Sequence, residues 1–272
     1  SGVDVSLYFP LREKNSTDDI AKIQKFYGFE ETFKVFGLNH RLPFGKIKFF
    51  NSISFYVSHF IWSWYVVNKY FKNRNIDNIF FTRSEWISYF LSRKDCKIIF
   101  ECHQTSKTRN FIINILKVKE NIQFIFLNDK LEKFYSVKEK QSNVFHNGVD
   151  TELFQNINTK TKKQIIFIGN LSRFNKTRDL DFLIECYKKS DVLKEYKLKI
   201  VGGPKKTADQ LSEKVKKNNL SKFISIQGRL DRQSAINEIQ KSEIGILINS
   251  SNNLHSYEYT SPLKYFEYIY GE

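Results

Sequence analysis

Short apolar runs alternate with longer amphipathic stretches along almost the whole of this sequence, and that alternation restricts the fold more than any single motif does. Strands are expected at 3–9, 33–38, 78–82, 97–101 and 122–127, with a short one ending at Phe145. Between them the spacing predicts helices near 17–27 and 47–72 and at 85–92, 108–118 and 129–135, the last capped by Asn128. Parallel neighbours need a crossover segment, so strand–helix repetition argues for a parallel sheet flanked by helices. The polar stretch Gln155–Lys163 has no face to bury and reads as a linker. Beyond it the pattern restarts with strands at 164–169, 196–201, 223–227 and 243–249 and helices at 177–189, 207–218, 231–241 and from 262. The expectation is an α/β chain of two Rossmann-like domains, 1–154 and 164–272, joined by 155–163. A length of 272 residues gives each domain room for a core.

Composition narrows the partners. With 44 Lys and Arg against 29 Asp and Glu, the formal charge of +15 favours anions: a nucleoside diphosphate, an anionic membrane surface or nucleic acid. Nucleic acid is not expected, because the aromatic residues fall mostly within apolar runs and no RNP, zinc-finger or basic-zipper signature is present. Cys96, Cys102 and Cys186 are widely spaced, without metal-ligand spacing, and read as reduced thiols of a cytoplasmic protein. No Asp-x-Asp cluster suggests a Mg²⁺ site. Residues 49–71 are rich in aromatics but broken by Asn51, Ser54, Ser58, His59, Ser63 and Lys69, which predicts a largely buried or interfacial helix rather than a membrane span. The first residues lack the basic and apolar regions of a signal peptide, and the absence of methionine reads as a processed chain or a fragment.

The stretch Ser261-Pro262-Leu263-Lys264-Tyr265-Phe266-Glu267-Tyr268-Ile269 carries the strongest chemical signal. Ser261 is expected as N-cap and Pro262 as the first helical residue. Lys264 stands where a capping box would put Glu or Gln, leaving the amides of Leu263 and Lys264 open to an external phosphate. Glu267, three residues on and on the same face, suits vicinal hydroxyls. The alternative is an ordinary amphipathic helix, with Leu263, Phe266 and Ile269 facing a core and Lys264 and Glu267 forming an exposed ion pair. On spacing alone the alternative is better supported.

SPLKYFEY resembles the donor-site signature of GT-B glycosyltransferases, specifically glycosyltransferase family 4. Val144-Phe145-His146-Asn147-Gly148-Val149-Asp150 with Phe154 is similar to that family's crossover motif, and Ile165-Ile166-Phe167-Ile168-Gly169-Asn170-Leu171 to the strand opening its second domain. The resemblance implies two Rossmann-like domains with a cleft between them. It also implies retaining, metal-independent transfer of a sugar from a nucleotide sugar, UDP- or GDP-linked, to a glycan or lipid-linked acceptor of cell-envelope polysaccharide synthesis. By the same resemblance the loop after Gly169 meets the diphosphate, through Arg173 and Lys176 or Arg178, Asn170 replacing the family's usual Arg. Glu267 matches the second Glu of a Glu-x7-Glu motif; the first is out of register, Tyr259 standing near its place with Glu258 beside it. Glu101-Cys102-His103 resembles an E-x-H motif, giving His103 a catalytic role near the transferred sugar and Glu101 a structural one. Asn147 is expected near the cleft and Gly148 in a permissive turn, while Gly202-Gly203-Pro204 ends a strand and reads either as a close approach to the donor or, taken alone, as only a turn. Val3–Phe9 is similar to the family's second strand, so a chain lacking the first strand and the C-terminal end, and inactive by itself, is expected. A GT-B nucleotide-sugar epimerase and a basic nucleic-acid-binding protein are the competing readings.

Overall fold

Side chains alternate across a strand, so a strand buried on both faces needs apolar residues at every position, and one buried on a single face needs them at every second. The computed structural model, which describes residues 2–72, 78–154, 160–173, 176–249 and 253–271, contains both kinds. It divides into two compact units, Ser1–His146 with Glu258–Thr260, and Asn147–Tyr257 with Ser261–Glu272.

In the first unit β1 (Ser6–Pro10), α1 (Ile20–Tyr27) and β2 (Lys34–Leu38) are followed by the long α2 (Asn51–Tyr70). Then come β3 (Ile79–Thr82), α3 (Glu85–Leu91), β4 (Lys97–Cys102), α4 (Lys107–Leu116), β5 (Ile122–Phe126), α5 (Asp129–Tyr135) and β6 (Ser142–Val144). Every pairing is parallel, but the strands form two sheets, β1-β2 and β3-β4-β5-β6, where the sequence predicted one. The ring of Phe71 stands between them, 5.0 Å from Tyr8 of β1 and 5.1 Å from Phe80 of β3. Ile98, Phe100 and Cys102 of β4 and Ile122, Phe124 and Phe126 of β5 put alternate residues into the core. Each fully buried phenylalanine there contributes about 1.5–3 kcal/mol. Asn128 caps α5 as expected, accepting from the Leu131 amide at 2.8 Å, while Ser84 and Ser106 cap α3 and α4 in the same way.

The second unit holds β7 (Thr161–Ile168), the short antiparallel β8 (Ser172–Arg173) and β9 (Lys176–Thr177), α6 (Leu180–Lys189), α7 (Asp191–Lys194) and β10 (Lys197–Val201). After these come α8 (Lys205–Lys217), β11 (Ile224–Gln227), α9 (Arg232–Lys241), β12 (Ser242–Gly245), α10 (Leu254–Glu258), whose last residue belongs to the first unit, and α11 (Leu263–Tyr270). Its main sheet is parallel in the order β11-β10-β7-β12. β7 is central and buried on both faces: Ile165 and Phe167 join one core cluster, Ile166 and Ile168 another.

Two boundaries differ from the sequence expectation. β7 begins at Thr161, inside the stretch 155–163 read as linker, because its polar start pairs with Ser242 of an edge strand and needs no apolar side chains; residues 155–159 lie outside the described residues. The first unit ends at His146, not at 154. Residues 147–154 pack on the second unit: the Gln233 amide donates to the Leu153 carbonyl at 3.1 Å, and the rings of Phe154 and Tyr270 are 5.0 Å apart. Among the described residues no helix is long and apolar enough to cross a membrane.

Candidate functional site

In the second unit the chain steps from β7 to β10 to β11 and then returns to β12 on the other side of β7. Ligands of open α/β sheets bind beyond the carboxyl ends of strands where the order reverses, so the end of β7 is the place to look. Glycine follows β7, β10 and β11 there, as Gly169, Gly202-Gly203 and Gly228. Gly202 permits a close approach of two strand ends: a Cβ at that position would lie 1.8 Å from the Gly169 carbonyl oxygen. Beyond these glycines opens a cavity of about 660 Å³ lined by Asn170, Lys205, Asp209, Ser212 and Arg229, among others, at the N-terminal end of α8. The sequence reading missed Lys205 and Arg229. The signal available was the recurrence of glycine after three successive parallel strands.

α11 follows β12 and meets the same strand ends. Its N-cap is Pro262, and no side chain caps it. Ser261 stands one residue further out than expected, because its hydroxyl accepts from the Asn147 amide at 3.0 Å while the Asn147 side chain donates to the Ser261 carbonyl. The crossover motif thus fixes where α11 begins. Leu263 and Ile269, which the amphipathic alternative turned toward a core, are exposed, whereas Lys264, Glu267 and Tyr268 share the inward face. Lys264 and Glu267 form an ion pair with each other, both side chains largely shielded at 30% and 15% exposure. Tyr268 anchors the helix: its hydroxyl accepts from the Ile168 amide at 3.2 Å and donates to the Ile246 carbonyl at 3.3 Å. Its ring fills the space a side chain on Gly245 would occupy. Burial pushes the Tyr268 phenol up to about 12, with the Glu267 charge adding to the shift and the Arg178 charge opposing it.

Arg178 therefore lies within electrostatic reach of this helix. Its guanidinium donates to the Ile248 carbonyl at 2.6 Å, lies over the Phe167 ring and points toward Gly169. Arg178 thus stands beside Gly169, Lys264 and Glu267 are paired on α11, which Leu263 opens, and Asn147 is tied to Ser261. Arg173 and Lys176 stand in β8 and β9, but their side chains lie outside the described part of the structure. Gly148 does not make the permissive turn expected of it: its φ is not positive, and a Cβ there would meet nothing within 4 Å.

In the first unit His103 follows β4 at its carboxyl end, as the sequence predicted. Its Nε2 lies 3.1 Å from Glu101 Oε2 without the alignment of a hydrogen bond, and Arg83 donates to the same carboxylate oxygen at 2.5 Å. The imidazole is held below its ordinary pKa, chiefly by burial and further by Arg83, against the opposing pull of Glu101. The next residue is pinned: the Gln104 carbonyl accepts from Tyr135 at 3.0 Å, Arg109 at 3.2 Å and Cys102 at 3.5 Å. Arg109 also donates to Glu85 at 2.9 Å, a pair with both side chains buried. Burial raises the Cys102 thiol to about 11, so it is a neutral member of this knot. Glu258 and Tyr259 belong to this unit as well, Glu258 paired with Lys130 of α5 and Tyr259 packed against Phe134 at 5.6 Å.

Among the described residues no three His, Cys, Asp or Glu side chains are grouped so as to hold a metal ion. No family model matches the chain, and no curated protein matches it in sequence. Solved structures do match. Sucrose-phosphate synthase from Thermosynechococcus elongatus aligns with 14% identity and a TM-score of 0.61, over 90% of this chain and 65% of that one. A structure described as trehalose-6-phosphate from E. coli bound with UDP-2-fluoro glucose aligns with 10% identity and a TM-score of 0.61, over 85% and 64%. Anabaena Alr3699/HepE, in complex with UDP and glucose, aligns with 10% identity and a TM-score of 0.51, over 88% and 73%. The chain thus spans just under two thirds of the length of the first two. These likenesses establish the fold as GT-B, built from two Rossmann-like units.

Proposed function

We propose that this GT-B chain is the sugar-transferring part of a glycosyltransferase that takes a sugar from a UDP- or GDP-sugar and passes it to a glycan or lipid-linked acceptor. The observation that carries the reading is the Lys264–Glu267 pair on α11, a helix whose start has no side-chain cap and which Tyr268 ties to the end of β7. An ammonium, free helix amides and the adjacent Arg178 suit the negative charge that develops on a departing diphosphate. Glu267, released from Lys264 when the phosphates arrive, suits the ribose diol. Lys205 and Arg229 add cationic lining to the cavity beyond. His103 is the catalytic candidate of the first unit, a neutral imidazole fixed by the Gln104 knot. Transfer in this reading is retaining and metal-independent, as the resemblance implies. Its setting is the cytoplasm, in cell-envelope polysaccharide synthesis, with peripheral association at the inner face of a membrane.

A thermal-shift screen against UDP-, GDP- and ADP-sugars tests this. One donor class is expected to raise the melting temperature, since ligand at 100 times its dissociation constant stabilises by about 2.7 kcal/mol. In the full-length protein, product analysis with that donor should show transfer rather than C2 epimerisation. No shift with any nucleotide sugar would contradict the reading, and epimerised donor without transfer would replace it by the epimerase.

A further inference from the structure

α2 is buried along one side only. Ser54, Ser58, Trp62, Ser63, Val66 and Val67 face the first unit, and the half-exposed Phe60 packs on it too, its ring 4.8 Å from Trp86 and 5.4 Å from Phe90 of α3, whereas Ile53, Val57, Ile61 and Trp64 line the opposite side at 41–63% exposure. Phe49, 87% exposed, extends the stripe just before the helix. Three of the six buried positions are serines, while large apolar side chains are left on the outside, more than a helix on a soluble domain needs to expose. From Ile53 to Trp64, at about 1.5 Å rise per residue, this apolar strip is about 17 Å long. From residue 46 to residue 72 every charged side chain is a lysine: Lys46, Lys48, Lys69 and Lys72. They flank the strip at its two ends, Lys46 being paired with Glu13 at 3.4 Å, and no carboxylate lies within the strip itself.

We infer that the exposed face of α2 docks in the plane of an anionic lipid bilayer. The inference deepens the peripheral membrane association proposed above and rests on it. Two features favour lipid over a protein partner. An apolar strip with lysines at both ends and no acid matches an anionic interface in charge, and aromatic residues of the Trp64 and Tyr65 kind settle at headgroup level with the apolar residues below. The helix lies on the membrane rather than across it, since its buried serines and His59 face protein.

The test is flotation of the full chain with vesicles of phosphatidylglycerol mixed into phosphatidylcholine, beside pure phosphatidylcholine. Binding is expected on the anionic vesicles at low salt and should fall as salt rises, exposed charges being screened beyond about 10 Å at 0.1 M. Brominated lipid should quench part of the tryptophan emission, and Trp64→Phe should remove that part. The double variant Val57→Glu, Trp64→Glu should lose at least tenfold in partitioning while melting and nucleotide-sugar shift stay as in the parent, which separates this inference from the donor-site reading. Lys48→Glu with Lys69→Glu should reduce binding to anionic vesicles alone. The inference is overturned if anionic vesicles are not bound, if the double variant binds as well as the parent, or if α2 instead holds a dimer in solution that the same variant splits.

Discussion

Arg109→Ala should destabilise the first unit by about 3–5 kcal/mol, a large part of a domain stability of about 5–15 kcal/mol. The substitution leaves the Glu85 carboxylate buried at 6% exposure with its guanidinium gone. It also removes one of the three donors on the Gln104 carbonyl. Much of the cost is the stranded charge rather than the worth of the pair, so Arg109→Met combined with Glu85→Leu should recover most of it. Urea unfolding of the three proteins checks this. A loss below 1 kcal/mol for Arg109→Ala would mean that water reaches Glu85 and that the knot behind His103 is loose.

Gly202→Ala should be the most damaging small substitution in the second unit. Its Cβ would lie 1.8 Å from the Gly169 carbonyl oxygen and 3.1 Å from the Leu171 side chain. The first obstacle is backbone at the end of a central strand and has no rotamer to adopt, so β7 and β10 must separate where Val201 pairs with Ile168. A cost of about 3 kcal/mol or more is expected, at the upper end for overpacking. Gly148→Ala is the matched control: nothing lies within 4 Å of the added methyl, and the change should stay within about 0.5 kcal/mol. Urea midpoints of the two variants decide the matter. A Gly202→Ala protein as stable as the parent would show that the two strand ends are not locked together.

The readability of this sequence follows the same physics. Central strands such as β4, β5 and β7 were plain because nearly every position of a doubly covered strand, or every second position of a singly covered one, is apolar. Caps were plain where a serine or asparagine side chain reaches the amide three residues on, as at Ser84 or Asn128. Reading failed where tertiary packing overrides local pattern. Leu263, Phe266 and Ile269 look like a core stripe, but Leu263 and Ile269 are exposed while Lys264, Glu267 and Tyr268 are partly buried. The motif around Asn147 reads as the end of one domain, yet its backbone is tied to Ser261, 114 residues later. Gly148 looked like a turn requirement and is not one, whereas Gly202 was noticed only as a strand end and a close approach, without its neighbour Gly169. The exposed side of α2 was legible only as an excess of aromatics, since periodicity does not say which of two faces a protein covers.

The central claim, that the inward face of α11 holds a nucleoside diphosphate, is tested most directly by calorimetric titration of UDP, GDP and their 2′-deoxy forms. The proteins compared are the parent, Lys264→Ala and Glu267→Ala. Lys264→Ala should weaken the preferred nucleotide and its deoxy form alike by at least tenfold, about 1.4 kcal/mol, because the contact is to phosphate. Glu267→Ala should weaken the ribonucleotide by a comparable factor and leave the deoxy form unchanged or slightly tighter, since it frees Lys264 from its ion pair. Equal loss on ribo and deoxy forms in Glu267→Ala would remove the diol role. Parent-like binding of every nucleotide by both variants would contradict the claim itself.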